Sequence, residues 1–402
     1  MSILATGKRL KRNKEKQKKL KTIILLILIV VLLISISFGL TYAVLSKRAA
    51  NKEKTQNTLV NNVETSKNQI VKDDIDDNKK NTDELSQKEI IVTSVGDCTI
   101  GHDTSFSYSN SLPAVLNKNN NDFSYFFKNV SDIFKNDDIT TANLETTFTN
   151  STIKAEKQFT FKAPPEYAKA LKLGYIEGVN ISNNHIRDYL DAGFNDTIST
   201  LQAEKINFFG EGYKWNTEVK GIKFGFLGYK GYYSDKNFLN TIKKDIASMK
   251  AENRIVIINF HWGDENSYTP NSTQKSIAHF AIDNGADLII GHHPHVIQGL
   301  EQYKGKVICY SLGNFCFGGN VNPSDKDTFI MQTKFIIKDN KLTSYAVRAI
   351  PCSISSVNYI NDYCPTPMVD SRKKGLLDKI NSLSINLKFA LSDDFSLIDV
   401  NN

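Results

Sequence analysis

Short apolar runs rich in β-branched residues recur along the chain and alternate with segments of helical spacing. The runs IIVTSV after Glu89 and RIVIINF before His261 have the length and composition of buried strands. Residues 191–205 and 241–249 space their apolar side chains as a helix does. Strands that alternate with helices predict an α/β fold.

Further predictions concern individual elements. The stretch DFSYFFKNVSDIF has the spacing of one helix, and Ser272 is placed to cap another helix that Gly285 closes. Two alternating runs, TFIMQTKFIIK and LTSYAVRAI, are joined by a short polar turn, as in an antiparallel hairpin. The hairpin predicts a mixed sheet rather than a purely parallel one.

The N-terminal part has a different pattern. Residues 22–46 contain no charged side chain and follow nine lysines and arginines, and roughly 20 apolar residues suffice to cross a bilayer core. A cleaved signal peptide is the alternative, but its apolar core is usually only about 7 to 15 residues long. We therefore expect a single-pass protein of the cell membrane, with a basic cytoplasmic tail at 1–21, a transmembrane helix at 22–46 and the remainder extracellular.

Residues 47–88 are polar, mixed in charge and free of aromatic side chains. Such a segment cannot bury enough apolar area to offset its ordering entropy, so we expect a flexible linker before a folded extracellular domain at 89–402. The formal net charge of +7 is concentrated in the N-terminal cluster. No stripe of basic and aromatic residues follows it, which argues against nucleic acid as a partner.

The five cysteines show no spacing typical of a metal site. No Cys-x-x-Cys pair is present, which argues against a zinc site built of thiolates. Cys98, Cys309 and Cys316 lie within or beside apolar stretches, as buried thiols do. Cys352 and Cys364 can form a disulfide, but spacing does not decide their pairing.

Polar residues with metal-binding chemistry follow several predicted strands. Five of the seven histidines lie at three strand ends, and Gly291 and Pro294 force a turn at the richest of these ends. Functional sites of α/β folds gather at the carboxyl ends of strands. The candidates at such ends are Asp97, Asn143, Glu145, Asn183, Asn184, His185, His261, His293 and His295.

The candidates supply oxygen and nitrogen donors, which suit divalent Mn, Fe, Zn or Mg. Two such ions about 3.5 to 4 Å apart would bind a phosphoryl group and lower the pKa of a bound water from 15.7 towards roughly 7. His185, with Asp188 three residues later, is a candidate proton donor whose ring the carboxylate orients. This chemistry hydrolyses a phosphate ester or a related acyl or peptide bond.

Each candidate also has a structural interpretation. Asp97 after a glycine can cap a turn, and Asn143 and Glu145 can satisfy loop amides. His261 can be a packed histidine beside a tryptophan, and the run that begins at His292 can be a histidine-rich surface loop. Only a shared location in the fold distinguishes a metal site from these alternatives.

Six ordered motifs give the chain a specific resemblance. They are SVGDCTIG, TTANLETTFT, NISNNHIRDYLDAG, NFHWGDE, GADLIIGHHPHV and KVICYSLGNF. In this order and spacing, over about Glu89 to Phe317, they resemble the CapA family of bacterial capsule synthesis proteins, also called the poly-γ-glutamate capsule group. The resemblance implies one membrane anchor and an extracellular domain similar to metallophosphoesterases, a four-layer sandwich of two mixed β-sheets flanked by helices.

The resemblance also implies roles for individual residues. Asp97 matches the first metal-binding aspartate, and Glu145 or Asn143 stands where a bridging aspartate is expected. The other implied roles are those of metal ligands for Asn184, His261, His293 and His295, and of the acid for His185. The chain departs from the phosphoesterase pattern at Thr99, where a histidine is usual, and at NLE, which replaces Gly-Asp. The number of metal ions therefore stays open.

Three functions are consistent with this sequence. The first is a membrane-anchored extracellular protein that works with capsule ligase and transport subunits to make, export or tether an anionic polymer such as poly-γ-glutamate. The second is a non-catalytic scaffold that binds the polymer. The third is a metallophosphoesterase that acts on cell-envelope phosphates. Metal content and hydrolytic activity distinguish the scaffold from the two enzymes.

Overall fold

The computed structural model describes residues 87–399. The basic tail at 1–21, the transmembrane helix at 22–46 and nearly all of the linker at 47–88 are predictions that lie outside the described residues. Among the residues that are described, no helix has both the length and the apolar character needed to cross a membrane.

The described residues form eighteen strands, most of them short. In chain order the strands are β1 (Lys88–Thr99), β2 (His102–Asp103), β3 (Ile139–Leu144), β4 (Thr147–Phe148), β5 (Phe161–Ala163), β6 (Gly178–Asn180), β7 (Asn207–Phe209), β8 (Trp215–Val219), β9 (Ile222–Lys230), β10 (Ile255–His261), β11 (Leu288–His292), β12 (Ile297–Tyr303), β13 (Lys306–Leu312), β14 (Asn314–Phe317), β15 (Asp327–Lys338), β16 (Lys341–Ser353), β17 (Thr366–Pro367) and β18 (Ser396–Asp399). Strands β15 and β16 are antiparallel, so the predicted hairpin is confirmed.

Helices separate many of these strands. They are α1 (Leu112–Lys118), the 3₁₀ helix η1 (Phe123–Phe127), α2 (Ser131–Lys135), the 3₁₀ helix η2 (Pro165–Ala168), α3 (Lys169–Leu173), α4 (Leu190–Glu204), α5 (Lys236–Ala251), α6 (Ser272–Asp283) and α7 (Asp370–Leu383). Alternation of strands and helices confirms the predicted mixed α/β class.

Two predictions about helices are wrong in detail. The stretch DFSYFFKNVSDIF forms η1 and α2 rather than one helix. Between them Val130, with a φ angle of −124°, leaves the helical region, and the neighbouring Asn129 side chain donates to Thr366 Oγ1 at 2.9 Å. The cap of α6 is Asn271 rather than Ser272, because the Asn271 side chain and Gln274 form a reciprocal capping box.

The strands form two large mixed sheets and one small sheet. Nine strands form the first sheet in the order β17-β16-β15-β1-β3-β6-β7, with β14 beside β1 and β18 beside β16. Six strands form the second in the order β12-β13-β11-β10-β9-β8, and β2, β5 and β4 form the small sheet. The inner pairs β1–β3 and β10–β11 are parallel, whereas β15 and β12 pair antiparallel with their neighbours.

Three apolar clusters divide the described residues into four layers. One cluster joins helices α1 to α4 to the nine-stranded sheet, as Leu201 and Leu144 illustrate. The second lies between the two large sheets and contains Val92 and Phe226. The third joins the six-stranded sheet to α5 and α6, where Ile246 is fully buried. Each large sheet is thus covered on both faces, which explains the continuous apolar runs.

All five cysteines are buried free thiols. Cys98 and Cys316 lie on the paired strands β1 and β14, and Cys309 lies on β13. Cys352 and Cys364, the possible disulfide, are not bonded to each other.

Candidate metal centre

The carboxyl ends of parallel strands from both large sheets meet at one place. Near the end of β1, Asp97 pairs in register with Asn143 of β3. On the second sheet, His261 ends β10 in register with His292 of β11. Because neighbouring parallel strands end at the same sheet edge, residues that are distant in sequence become neighbours.

Two glycines allow the backbones to approach closely enough for this arrangement. The Asp97 backbone N–H donates to Gly313 O at 2.9 Å. A Cβ atom on the preceding Gly96 would lie 2.0 Å from the same oxygen. A Cβ atom on Gly291, just before the histidines, would lie 1.9 Å from Tyr310 O. Larger residues at either position would therefore push the strand ends apart.

A strained turn places the next two histidines. His293 and His295 flank Pro294 and have φ angles of +98° and +58°. Non-glycine residues rarely occupy this region, at a cost of about 1 to 3 kcal/mol each. The turn directs both side chains back towards the strand ends instead of away from them.

Asp97 is fully buried and contacts three other candidates as well as His292. Asn143 Nδ2 donates to Asp97 Oδ1 at 2.8 Å, and the His293 backbone N–H donates to Oδ2 at 3.3 Å. His292 Nδ1 lies 3.6 Å from Oδ1 and His295 Nδ1 lies 3.5 Å from Oδ2. Burial alone would raise the pKa of Asp97, but the hydrogen bond and charge of His295 hold it well below its usual value.

Asparagine carbonyls fix which nitrogen of two histidines carries the proton. His292 Nε2 donates to Asn259 Oδ1 at 2.9 Å, which leaves a lone pair on the buried, unpartnered Nδ1 that faces Asp97. His295 Nδ1 donates to Asn314 Oδ1 at 2.9 Å, which leaves Nε2 as a donor for a cation. A lone pair and a carboxylate oxygen that face each other repel unless a cation lies between them.

Glu145 is the most unusual group of the site. It is fully buried, and neither carboxylate oxygen has a hydrogen-bond partner among the described residues. Burial, reinforced by the charge of Asp97, raises the pKa of Glu145 to about 8. Although burial opposes it, the charges of Glu145 and Asp97 raise the pKa of His295 to about 10. Without a metal ion the positive charge of the site is therefore that of protonated His295, and a cation bound at Nε2 would replace this proton.

His261 and Asn184 contact each other at the same place. His261 Nε2 lies 2.8 Å from Asn184 Oδ1 and 3.3 Å from Glu145 Oε1. On the other side of the ring, Nδ1 lies 3.3 Å from Asn143 Nδ2. Burial lowers the pKa of His261 to about 3, so the ring is neutral and able to bind a cation. Asn183 supports this arrangement, because its Nδ2 donates to Asn143 Oδ1 at 3.3 Å.

His185 and Asp188 form the predicted pair. His185 Nδ1 lies 2.7 Å from Asp188 Oδ2, so the carboxylate orients the ring as expected from their spacing. Asp188 is itself held by Lys157 Nζ at 2.7 Å and by the Phe161 backbone N–H at 2.6 Å. Two donors thus fix one buried carboxylate, which in turn fixes the imidazole.

A cavity of about 550 Å³ opens beside these groups. Both His185 and His295 line it, so a molecule in the cavity can reach the proton-donor candidate and the metal-ligand candidates together. The cavity also reaches Phe106 and Phe159, which are exposed at its outer part.

The residues present fit a divalent cation. Glu145, His293 and His295 offer ligand atoms that all lie within 4.8 Å of one another. His293 Nδ1, like both Glu145 oxygens, is buried without a hydrogen-bond partner among the described residues. Burial lowers the pKa of His293 to about 3, which keeps its nitrogen unprotonated. Buried acceptor atoms without a partner are rare except where a ligand or an ion binds to them.

The structure brings the sequence candidates into contact with one another, but it also includes residues that the sequence analysis did not select. His292 faces Asp97, and Asn259 and Asn314 orient two of the histidines. Of these, His292 carried a usable signal, because it directly follows the apolar run DLIIG, just as other candidates follow theirs. The roles of the individual ligands remain predictions.

A family model and two relatives that are named for capsule or PGA biosynthesis match this chain. The family model described as bacterial capsule synthesis protein PGA_cap matches residues 91–319. The PGA biosynthesis protein CapA of Bacillus subtilis (strain 168) is 33% identical over 213 residues, which are 48% of this chain and 56% of the relative. The capsule biosynthesis protein CapA of Bacillus anthracis is 29% identical over 280 residues, which are 63% of this chain and 65% of the relative.

More distant similarities follow. A probable polyglutamine synthesis accessory protein of Mycobacterium tuberculosis is 24% identical over 208 residues, or 44% of this chain and 55% of that protein. The chain thus spans between about half and two thirds of the length of these relatives. Among solved structures, purple acid phosphatase PPD1 from yellow lupin seeds has 11% identity and a TM-score of 0.34, covering 71% of this chain and 57% of that one. A similarity this distant supports no further statement.

Proposed function

Because the chain belongs to the family described as bacterial capsule synthesis protein PGA_cap, we propose that it helps to make, export or tether an anionic capsule polymer such as poly-γ-glutamate. Two relatives named for capsule or PGA biosynthesis support this role. Capsule ligase and transport subunits of the membrane are the partners that such a role requires. Deletion of the chain should then remove or release the capsule, whereas an envelope phosphoesterase unrelated to capsule would leave it in place.

We propose further that the protein acts through a metal-dependent centre of the metallophosphoesterase type. The observation that supports it best is the buried Glu145 carboxylate, which lies beside unpartnered histidine nitrogens and has no protein donor among the described residues. The residues that would hold Mn, Fe, Zn or Mg are Asp97, Asn143, Glu145, Asn184, His261, His292, His293 and His295. When bound, such an ion supplies Lewis acidity and a water of lowered pKa.

The chain's own residues supply the proton transfer. His185 donates its Nδ1–H to Asp188, so its Nε2 is left to exchange a proton with a bound substrate. Lys157 and the Phe161 backbone keep Asp188 in place during that exchange. These groups suit hydrolysis or transfer at a phosphate or amide bond.

The proposed location is the outer face of the cell membrane. Residues 22–46 would anchor the chain, because they contain no charge and follow a basic cluster that favours the cytoplasm. Protease added to intact protoplasts should then digest residues 87–399, and it should leave the basic tail protected. Digestion only after lysis would contradict this orientation.

Metal analysis of the purified full-length chain tests the centre. We expect bound Mn, Fe, Zn or Mg at a fixed ratio to protein and hydrolysis of bis(p-nitrophenyl) phosphate. His293→Ala should lose both. His279→Ala is the matched control, because His279 stacks on Tyr303 with ring centroids 3.8 Å apart and bonds Glu301 outside the site.

The outcomes separate the alternatives. The enzyme is supported if the wild-type chain holds stoichiometric metal and if His293→Ala loses both this metal and the hydrolytic activity. A chain that binds poly-γ-glutamate but neither holds metal nor hydrolyses the phosphodiester is a scaffold, and the catalytic part of the proposal is then wrong.

A further inference from the structure

A tyrosine that follows the carboxyl end of β9 lies beside the candidate metal centre. The Gly231 backbone N–H donates to His261 O at 3.0 Å, so the chain stays alongside β10 for one residue beyond β9. Tyr232 comes next, and its ring is nearly perpendicular to the rings of His293 and His261, with centroids 5.2 Å and 6.3 Å away. The strand end thus places a phenol against two of the proposed metal ligands.

The hydroxyl of Tyr232 is buried without a bonding partner. No group in the described part of the chain lies within hydrogen-bond distance of its Oη. Folding takes this O–H out of water without giving it an acceptor, and this opposes folding. Such groups are rare in native structures, so this hydroxyl needs an acceptor that the described chain does not supply.

The charged neighbours of Tyr232 locate its hydroxyl. Burial, and after it the charges of Glu145, Asp97 and Glu265, raise the pKa of the phenol well above its usual value. Glu145 and Asp97 belong to the proposed metal centre, whereas Glu265 lines the cavity of about 550 Å³. The hydroxyl therefore lies near both the centre and the cavity from which a substrate would reach it.

Tyr229, three positions earlier on β9, shows the ordinary state of a phenol that leaves water. Its Oη donates to Asp245 Oδ2 at 2.7 Å, and its ring stacks on Phe260. At position 232, a phenylalanine would make the same ring contacts as the tyrosine and would bury no unpartnered O–H. Packing therefore accounts for the ring of Tyr232 but not for its hydroxyl.

We propose that Tyr232 Oη donates a hydrogen bond to a negatively charged oxygen of the substrate group that reacts at the metal centre. The carboxylates and imidazoles of the centre offer acceptor atoms to a cation, whereas a phenol O–H offers a donor. A phosphate oxygen is charged already, and an amide oxygen becomes charged when its bond is attacked. In both reactions a donor that is positioned in advance stabilises this charge. The inference rests on the proposed function, and it adds a catalytic residue to a site in which His185 exchanges the proton.

Binding of inorganic phosphate to the purified full-length chain, loaded with Mn²⁺, tests the inference apart from catalysis. Phosphate is the probe because its charged oxygens are acceptors of the proposed kind. In calorimetry, Tyr232→Phe should bind phosphate about 10- to 100-fold more weakly than wild type, in line with the loss of one hydrogen bond to a charged group. Metal content should stay unchanged, because the phenol is a donor and not a ligand.

Hydrolysis assays identify the group that accepts the bond. The two substrates are bis(p-nitrophenyl) phosphate and tri-γ-glutamate. For the bond that the centre attacks, Tyr232→Phe should lower kcat by about 10²- to 10³-fold, as the loss of one oxyanion donor does in other enzymes.

Melting temperatures in EDTA distinguish this role from a structural one. Without an acceptor, the Tyr232 hydroxyl does not stabilise the metal-free protein, so Tyr232→Phe should melt at the same temperature as wild type or higher. Tyr229→Phe is the matched control, because it removes a hydroxyl that is bonded. It should lower the melting temperature and leave the affinity for phosphate unchanged.

Two results would overturn the inference. A lower melting temperature of Tyr232→Phe in EDTA would show that the hydroxyl bonds to the chain itself. Unchanged phosphate affinity in Tyr232→Phe, or loss of its metal, would show that the hydroxyl does not act as a donor to the substrate. Failure of the proposed function gives a different pattern, in which the wild-type chain itself neither holds metal nor binds phosphate, and the inference then falls with it.

Discussion

Replacement of Glu145 by glutamine should make the metal-free protein more stable. The Glu145 side chain is completely buried with both oxygens unpartnered among the described residues. Its neighbour His261 Nε2, at 3.3 Å, is closer to Asn184 Oδ1 at 2.8 Å. Because its pKa is raised to about 8 in the folded state, the carboxyl must take up a proton on folding at neutral pH, and this uptake opposes folding. Glutamine keeps the shape and needs no proton, so we expect a gain of about 1 to 3 kcal/mol in chelator at pH 7.

The same substitution should have the opposite effect when metal is present. An ion that binds only the folded state at a hundred times its Kd adds about 2.7 kcal/mol of stability. If Glu145 is a ligand and its loss weakens binding a hundredfold, most of that increment disappears. Each kcal/mol shifts the melting temperature by about 2 to 4 °C. Melting temperatures in EDTA and with added Mn²⁺ or Zn²⁺ should therefore show that the variant is the more stable protein without metal and the less stable one with metal.

Glu301→Gln provides the matched control. Glu301 is also buried, but its oxygens accept from Tyr310 Oη at 2.5 Å and from His279 Nε2 at 3.0 Å. Its replacement should destabilise the protein equally with and without metal, because a satisfied carboxylate is lost. If Glu145→Gln behaves like Glu301→Gln, lowering stability in EDTA and leaving the metal-induced shift intact, Glu145 is a structural acid and the reasoning fails.

Three other variants test separate parts of the structure. Asp188→Asn should lower kcat by about 10² to 10⁴, because it misorients His185. Metal content should stay unchanged, because no ligand is removed, and a concurrent loss of metal would contradict this role. Asn314→Ala should weaken metal binding by about 10- to 100-fold in calorimetry, because His295 loses its orienting acceptor, and unchanged affinity would contradict that role. Burial raises the pKa of Glu177 from 4.5 to about 7 in the folded state, so its contribution favours folding at low pH and is lost as pH rises from 4.5 to 7. Glu177→Gln should therefore reduce the stability gained between pH 7 and pH 5 by about 1 kcal/mol in urea titrations, and an identical pH profile would refute the assignment.

The sequence predicted the elements whose signals are local. The run RIVIINF became β10, since a strand covered on both faces needs an unbroken apolar stretch. The spacing of His185 and Asp188 predicted their contact, because Asp188 follows three positions after His185 and one turn brings them together. The antiparallel pair β15–β16 was predicted because a short polar turn joins its two alternating runs.

The missed strands β8 and β12 lie in hairpins with two-residue turns. Val219 of β8 pairs with Ile222 of β9, and Tyr303 of β12 pairs with Lys306 of β13. Each turn is a lysine followed by a glycine, and both residues have positive φ angles. Asparagine or aspartate before the glycine is the usual signal of such a turn, so the lysines left these hairpins with a weak local signal.

The site was predicted as a set, but its internal arrangement was not. Chemistry and strand ends selected most candidates, but not His292. Only the register of β11 with β10 shows that His292 faces inward. The orienting roles of Asn259 and Asn314 depend on side-chain geometry that no spacing encodes.

The candidate ligands come from strands on both sides of the central apolar layer. An ion held by Asp97 of one sheet and His292 or His293 beside the other would cross-link the two sheets at a single edge. Chelation would leave that edge held by apolar packing and a few direct hydrogen bonds, such as the one from the His293 backbone N–H to Asp97. Amide hydrogen exchange at the ends of β1 and β11 should then accelerate together. The metal supply of the surroundings would thus set the rigidity of this edge as well as its chemistry.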